Sequence, residues 1–397
     1  MRKLYIEQLQ EGMILARAIY NDRGDILLAR GVKLSSNYIR ALRSLGYYAV
    51  FVRDGADDDL DPPEVISEQV RVATYKHVRD LFAVVQNVTM QHDREGKQAA
   101  LAHLGDKAAP QIAQLYRDVE QIIDEVMTAD TLSGVASLKT HDNYTFEHSV
   151  EVTVVGVMLG KRLYLPVQEM HQLALGCLCH DIGKTVVPPG VLSKPGRLTD
   201  EEFALVKQHP TAGYEAVQQF MGASDIIARH VVWQHHERQD GTGYPRGLRG
   251  DNRFGGAVES RFGRQFILPA AEIAAVADVY SALASDRPYR RALKPPEIVA
   301  TLGEMAGSHL NRELVRRFLS ILPAYPMGTE VVVISQKLQG HRGVVASTPS
   351  TDMQRPTIRI LFDQYGRRVT PFEVDTAVDR EIELAMPAYK EAVRAPA

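Results

Sequence analysis

The sequence predicts a mainly α protein, an all-helical core that carries a small α/β unit at its N-terminus and a short β-rich tail. Three observations support this. Apolar residues recur at helical spacing almost throughout 145–322. Short apolar runs flank a single helical pattern in the first 53 residues, and β-branched runs separated by Gly, Pro and Asp fill the residues after 322. A length of 397 residues suits two or three domains. The composition, 45% hydrophobic, 24% charged and 7% aromatic, is that of an ordinary globular protein and excludes wholesale disorder, collagen and a disulfide-stapled miniprotein.

In chain order, strands are expected at Met13–Ile19, Asp25–Leu28 and Tyr47–Val52 around a helix at Ser35–Leu45, with Gly24 and Gly31 at turns. The stretch Asp54–Pro63 carries five Asp and two Pro, the composition of a solvated linker. Two amphipathic patterns, Glu64–Met90 and Lys97–Ala129, break near Gly96 and read as long helices that connect the N-terminal unit to the core or dimerise it. In the core, Leu173, Ala174, Cys177 and Leu178 form a one-faced stripe reaching back to Met170. Thr199-Asp-Glu-Glu202 is a capping box that opens a helix expected to run to His209-Pro210. Ile273, Val276, Ala277 and Tyr280 repeat the stripe around Asp278. Strands are expected again at Glu330–Ser335, Gly343–Ser347 and Pro356–Phe362. The division is therefore 1–53, 54–139, 140–322 and 323–397, and the third part, about 180 residues, is large enough to bury a core.

Lys and Arg number 46 against 49 Asp and Glu, so no global field favours long nucleic acid, although a small anion held by local charges is compatible with the net −3. No basic block favours a membrane surface. No run approaches the ~18 apolar residues of a membrane span, and the N-terminal residues lack the apolar core of a signal peptide. Cys177 and Cys179, two apart, suit a reduced core in the cytoplasm better than a disulfide.

One number is out of proportion. Of 13 His, eight (141, 148, 171, 180, 209, 230, 235, 236) lie between 141 and 236, where a uniform spread would put about three. Among them stand His148, His180-Asp181, His209 and His235-His236, and Asp278 follows on a later helix. Imidazole suits Zn, Fe, Mn or Ni, and a carboxylate can bridge two cations. Adjacent His-Asp and His-His pairs are also costly to bury unless each polar atom finds a partner, which a metal supplies. Lys184 follows Asp181 by about one turn, and Arg287 and Arg290 follow Asp278 near a helix end. These cations either meet a phosphate beside the metals or are solvated surface charges. A Gly-rich turn, Glu237 to Pro245, brings backbone N–H groups and Tyr244 to the mouth.

His180-Asp181, His235-His236, Gly243-Tyr244-Pro245 and Asp278 with Arg287-Pro-Tyr-Arg290 together resemble the HD-GYP proteins, a bacterial branch of the HD phosphohydrolases, over about 140–322. Residues 1–53 are similar to the small domain often found before HD-GYP domains. The resemblance implies an HD-type helical core that hydrolyses cyclic di-GMP to pGpG and onward to GMP. It implies one metal on His148, His180, Asp181 and Asp278, and a second on His209, His235 and His236 with Asp181 bridging. Fe or Mn is favoured, with Zn, Ni or Co as alternatives. Lys184, Arg287 and Arg290 would grip the phosphates, and Gly243, Tyr244 and Pro245 would shape the pocket. Asp181 and Lys184 are the residues assigned to catalysis, in which a water activated between the cations attacks phosphorus in line.

Members that hold three metals carry Glu four residues before the first His. This chain has Tyr144 there, so two metals are expected. Ser281 stands where the family often has Asp, and Arg246–Phe266 is a longer connection than usual, a surface insertion or a lid. His141 and His171 are expected at the surface, His230 in core or surface, Trp233 in packing, and Glu147 pointing away from the metals. The alternatives to cyclic di-GMP hydrolysis are a nucleotide-binding regulatory module with little turnover, and a phosphodiesterase for another cyclic dinucleotide such as cyclic GMP-AMP. A homodimer or a signalling partner would meet the N-terminal unit.

Overall fold

The computed structural model describes residues 2–21, 25–47, 49–53, 64–90, 96, 101, 103–129, 132, 144–194, 196–254, 266–285, 291–349 and 352–387. The acidic run 54–63, His141, Arg287, Arg290 and most of 246–266 lie outside the described residues.

The N-terminal unit contains β1 (Arg2–Tyr5), β2 (Ile14–Leu15), β3 (Ile19–Tyr20), β4 (Ile26–Leu28), α1 (Ser36–Ser44) and β5 (Ala49–Arg53). Strand β5 lies between β1 and β2 in an antiparallel sheet, and β3 pairs with β4. The Ser35 hydroxyl caps α1 by accepting the Tyr38 N–H. Leu4, Leu15, Leu42, Val50 and Val52 close a small core of their own. The sequence reading has no strand at β1, whose four residues offer one Leu and one Tyr beside two cations. Pairing with the buried β5 decides its conformation.

Helices α2 (Glu68–Met90) and α3 (Leu104–Thr128) pack on each other and bury Val78, Leu81, Leu115 and Ile122 in the same core as the helices after residue 144. Those are α4 (Tyr144–Arg162), α5 (Val167–Cys179), α6 (Pro189–Leu192), α7 (Asp200–Val206), α8 (His209–Val217), α9 (Ile226–Gln234), α10 (Pro269–Ala284), α11 (Pro295–Met305) and α12 (Arg312–Leu319). The α5 stripe is buried as its spacing predicts, with Leu173, Cys177 and Leu178 inaccessible. Among the described residues no helix is long and apolar enough to cross a membrane.

One helix differs from expectation in a way that matters for the site. The capping box forms, with Thr199 Oγ1 accepting the Glu202 N–H at 3.2 Å and Glu202 Oε2 accepting the Thr199 N–H at 2.7 Å. The helix it opens nevertheless stops at Val206, and a new one starts at His209. Pro210 lacks an N–H and is tolerated only in a first helical turn, so it forces the restart.

The tail folds as β6 (Glu330–Val333), β7 (Arg342–Ser347), β8 (Thr357–Phe362), β9 (Arg368–Asp375) and β10 (Leu384–Ala385), one antiparallel sheet in the order β10-β6-β7-β8-β9. Strands β9 and β10 add to the three expected. Most of β9 is solvent-exposed, so it carries no apolar alternation to read.

Candidate metal centre

Five helices deliver the predicted residues to one place. His148 lies in the first turns of α4, and His180 caps the C-terminus of α5 with Asp181 leading into a 3-10 turn at Ile182–Val186. His209 opens α8, His235 and His236 follow α9, and Asp278 lies in the middle of α10. Two sets of donors result: His148, His180 and Asp181, and Asp181, His209, His235 and His236. In each set the donor atoms lie within 4.8 Å of one another. Asp181 belongs to both. Asp278 spans them, with Oδ1 3.0 Å from His148 Nε2 and Oδ2 3.8 Å from His236 Nδ1.

Backbone carbonyls fix which nitrogen of three rings faces inward. His180 Nδ1 donates to Cys177 O at 2.8 Å, His209 Nδ1 to Val206 O at 2.7 Å, and His235 Nδ1 to Val232 O at 2.9 Å. Each Nε2 is left with its lone pair pointing into the cluster. His209 Nε2 and His235 Nε2 then face each other at 3.2 Å, a contact between two acceptors that needs a cation between or beside them. His180 Nε2 and Asp181 Oδ1 are buried without a hydrogen-bond partner, although unpaired buried polar atoms are rare. The donor set fits a divalent cation. His148 is held differently: Ser281 Oγ lies 2.9 Å from its Nδ1 and donates in turn to Glu151 Oε2 at 2.7 Å. Both contacts are legible in hindsight, because Glu151 is three residues from His148 and Ser281 three from Asp278, on shared helical faces.

Charge follows from burial. His209 is pushed down to about 3 by burial and by the neighbouring His236. Burial also lowers His236 to about 4 against the pull of Asp278 and Asp181, and holds His235 well below the usual imidazole range. Burial opposes ionisation of Asp181, but His180, Lys184 and His209 outweigh it and keep the carboxylate well below its usual range. Asp278 is likewise held low against burial by His148, His236 and His180. His180 is raised, burial notwithstanding, by Asp181. The lowered imidazoles of His209, His235 and His236 beside two ionised carboxylates make an electronegative basin.

The basin opens on one side. The His236 side chain is 26% exposed and Asp278 14%, whereas His180, His209, His235 and Asp181 are sealed. Lys184 sits on this open side with Nζ 2.6 Å from Asp181 Oδ2. The Tyr244 ring lies 4.8 Å from His236 and 6.5 Å from His209, centroid to centroid. Sequence reasoning did not single out Phe203 and Lys207, which join this rim: Lys207 Nζ lies over the Phe203 ring at 4.6 Å and the Tyr244 ring at 5.9 Å. Glu237 holds the turn, accepting N–H bonds from Arg246 at 2.7 Å and Leu248 at 2.8 Å. Gly243 is obligatory, since a Cβ there would meet the Arg238 nitrogen and lie 2.6 Å from His236 O. Pro245 follows Tyr244 on the same turn. His230 packs against Tyr214 and Trp233, Trp233 stacks on Tyr214 at 4.5 Å, and neither joins the cluster. Glu147 points to Arg71 at 3.5 Å.

The HD domain family matches residues 134–253, which include the two pairs His180-Asp181 and His235-His236. A cyclic di-GMP phosphodiesterase of Pseudomonas aeruginosa is 32% identical over 298 residues, 71% of this chain and 67% of the relative. The chain belongs to the HD-GYP family. Two relatives from Vibrio cholerae match this HD-GYP chain over shorter spans. A cyclic di-GMP phosphodiesterase is 37% identical over 36% of the chain and 27% of the relative. A 3'3'-cGAMP-specific phosphodiesterase is 35% identical over 45% and 37%. The HD-GYP chain thus spans about two thirds of the first relative and well under half of the other two.

Proposed function

We propose that this chain hydrolyses the phosphodiester bonds of cyclic di-GMP to pGpG and GMP in the cytoplasm, using two divalent cations, Fe or Mn. The observation that carries the reading is the pair of donor sets sharing Asp181. The first cation is assigned to His148, His180, Asp181 and Asp278, the second to His209, His235 and His236 with Asp181 common to both. Residues 140–322 form the catalytic unit, with α2 and α3 packed into its core, and 1–53 and 323–397 are accessory units.

When bound, a divalent pair supplies an acidified water and offsets charge on the phosphoryl oxygens. The chain's own contribution is positional. The carbonyl-locked rings hold their Nε2 atoms inward without reorganisation. Lys184 orients Asp181 from the open side, and its charge, with those assigned to Arg287 and Arg290, draws the substrate phosphates to the rim. Gly243, Tyr244 and Pro245 wall the pocket beside His236. Hydrolysis of a mixed cyclic GMP-AMP dinucleotide is the second reading, favoured by the 3'3'-cGAMP-specific relative.

The test is anaerobic loading with Fe(II) or Mn(II), then product chromatography on cyclic di-GMP and 3'3'-cGAMP in parallel. Cyclic di-GMP is expected to be consumed faster, with Asp181→Asn losing both metal equivalents and at least about a hundredfold in rate. Metal-replete protein that binds cyclic di-GMP and leaves it intact refutes the enzyme reading. Faster turnover of 3'3'-cGAMP supports the second.

A further inference from the structure

Three of the inward-facing histidines are locked by backbone carbonyls, but the lock on His148 is made of side chains. Ser281 Oγ lies 2.9 Å from His148 Nδ1 and 2.7 Å from Glu151 Oε2. All three residues are buried, His148 and Glu151 from α4 and Ser281 from the facing α10. A hydroxyl has one hydrogen. The Glu151 carboxylate can only accept, so that hydrogen goes to Glu151 and Ser281 Oγ must accept from His148 Nδ1–H. His148 Nε2 then faces inward, 3.0 Å from Asp278 Oδ1, so the two atoms are aimed at the same spot.

We infer that Glu151, acting through Ser281, is a positioning residue that fixes His148 as a metal ligand. The inference rests on the metal-binding role proposed for His148. Without the relay, the ring is free to flip or to take the other tautomer, and its Nε2 ceases to be a dedicated donor. A carboxylate at the end of the relay also raises the basicity of the ring, which a backbone carbonyl does less strongly. Because Ser281 carries a hydroxyl and no charge of its own, the negative charge comes from Glu151 on the neighbouring helix.

The test uses the full chain, with folding of each variant checked by circular dichroism. In chelator competition with Mn(II), Ser281→Ala is expected to weaken one metal equivalent by about 10- to 100-fold and leave the other within about threefold. Glu151→Gln, which keeps the side-chain volume, is expected to show the same effect at the lower end. Adding Ser281→Asp to Glu151→Gln places a carboxylate directly on Nδ1 and is expected to recover most of the loss. In Zn-loaded protein, 15N spectra should report His148 protonated on Nδ1, a signal lost in Ser281→Ala. The inference is overturned if Glu151→Gln and every folded Ser281→Ala preparation bind both equivalents within twofold of the parent, or if the added Asp recovers nothing. Turnover of cyclic di-GMP by the parent protein is measured on the same preparations. Metal loss in the variants with an inactive parent would sink the proposed activity and keep the relay. An active parent with unaltered variants would do the reverse.

Discussion

At the scale of single residues, the buried imidazoles make the metal-free protein acid-sensitive. His209 and His236 are lowered to about 3 and 4, and His235 is lowered as well, so the unfolded chain takes up protons first as pH falls below its own value of about 6.5. Stability is therefore full above that pH and declines as pH falls toward 4, by up to about 1.4 kcal/mol per pH unit for each group. His180 is raised in the folded state by Asp181 and works in the opposite sense: its contribution is present below the unfolded value of about 6.5 and is lost as pH rises, which softens the slope near pH 7. Urea midpoints in chelator should drop steeply between pH 7 and pH 5, and a flat profile would contradict neutral burial of these rings. The identities of all seven cluster residues were legible in the sequence, since adjacent His-Asp and His-His pairs have few cheap buried environments. Their ligating atoms were not. Which nitrogen faces inward depends on Cys177, Val206 and Val232 carbonyls, backbone groups that carry no signature in the side-chain alphabet.

At the scale of elements, the site depends on how closely the 3-10 turn after Asp181 approaches α8. A Cβ at Gly183 would collide with His209 O and lie 2.5 Å from the Gly213 nitrogen, both backbone atoms that have no room to yield. Gly183→Ala is expected to separate Asp181 Oδ1 from His209 Nε2, now 3.4 Å apart. The result should be a loss of the second metal equivalent and about 1–3 kcal/mol of stability. Gly190→Ala, where a Cβ would meet nothing within 4 Å, is the control and should leave both unchanged in metal titrations and thermal melts. The Gly beside the His-Asp pair was visible in the sequence; its contact was not, because the partner arrives from 26 residues further on. The restart of the helix at His209 is not legible for a related reason: a capping box marks where α7 begins, and Pro210 suits the end of one helix as well as the first turn of the next. Amphipathic stripes made α5 and α10 readable, whereas β1, β9 and β10 owe their conformation to strand pairing and carry little pattern of their own.

At the scale of the whole molecule, the N-terminal unit is tied to the helical core by cations. Arg17 Nε lies 3.0 Å from Glu64 Oε1, and the Arg291 guanidinium covers the Tyr5 ring at 4.4 Å. Arg71 lies 5.9 Å from the Tyr20 ring of the N-terminal unit, 3.4 Å from Glu68 and 3.5 Å from Glu147, the neighbour of His148. Burial opposes the charge on Arg71, and Glu147, Glu68 and Glu64 more than restore it. The pair with Glu147 is worth little as a net contribution, because desolvating both ions offsets most of their attraction, but removing one partner of a buried pair takes away that offset and leaves the desolvation cost of the other. Arg71→Met should therefore destabilise the protein by about 3 kcal/mol, read as a shift in the urea midpoint at pH 7. Arg71→Met combined with Glu147→Met should regain most of that, because the adaptable methionine side chains remove both buried charges while filling comparable volume between α2 and α4. If the double variant is as unstable as the single one, the energy lies in the contacts of Arg71 with Glu68 and Tyr20, and the N-terminal unit is held by that side of the arginine.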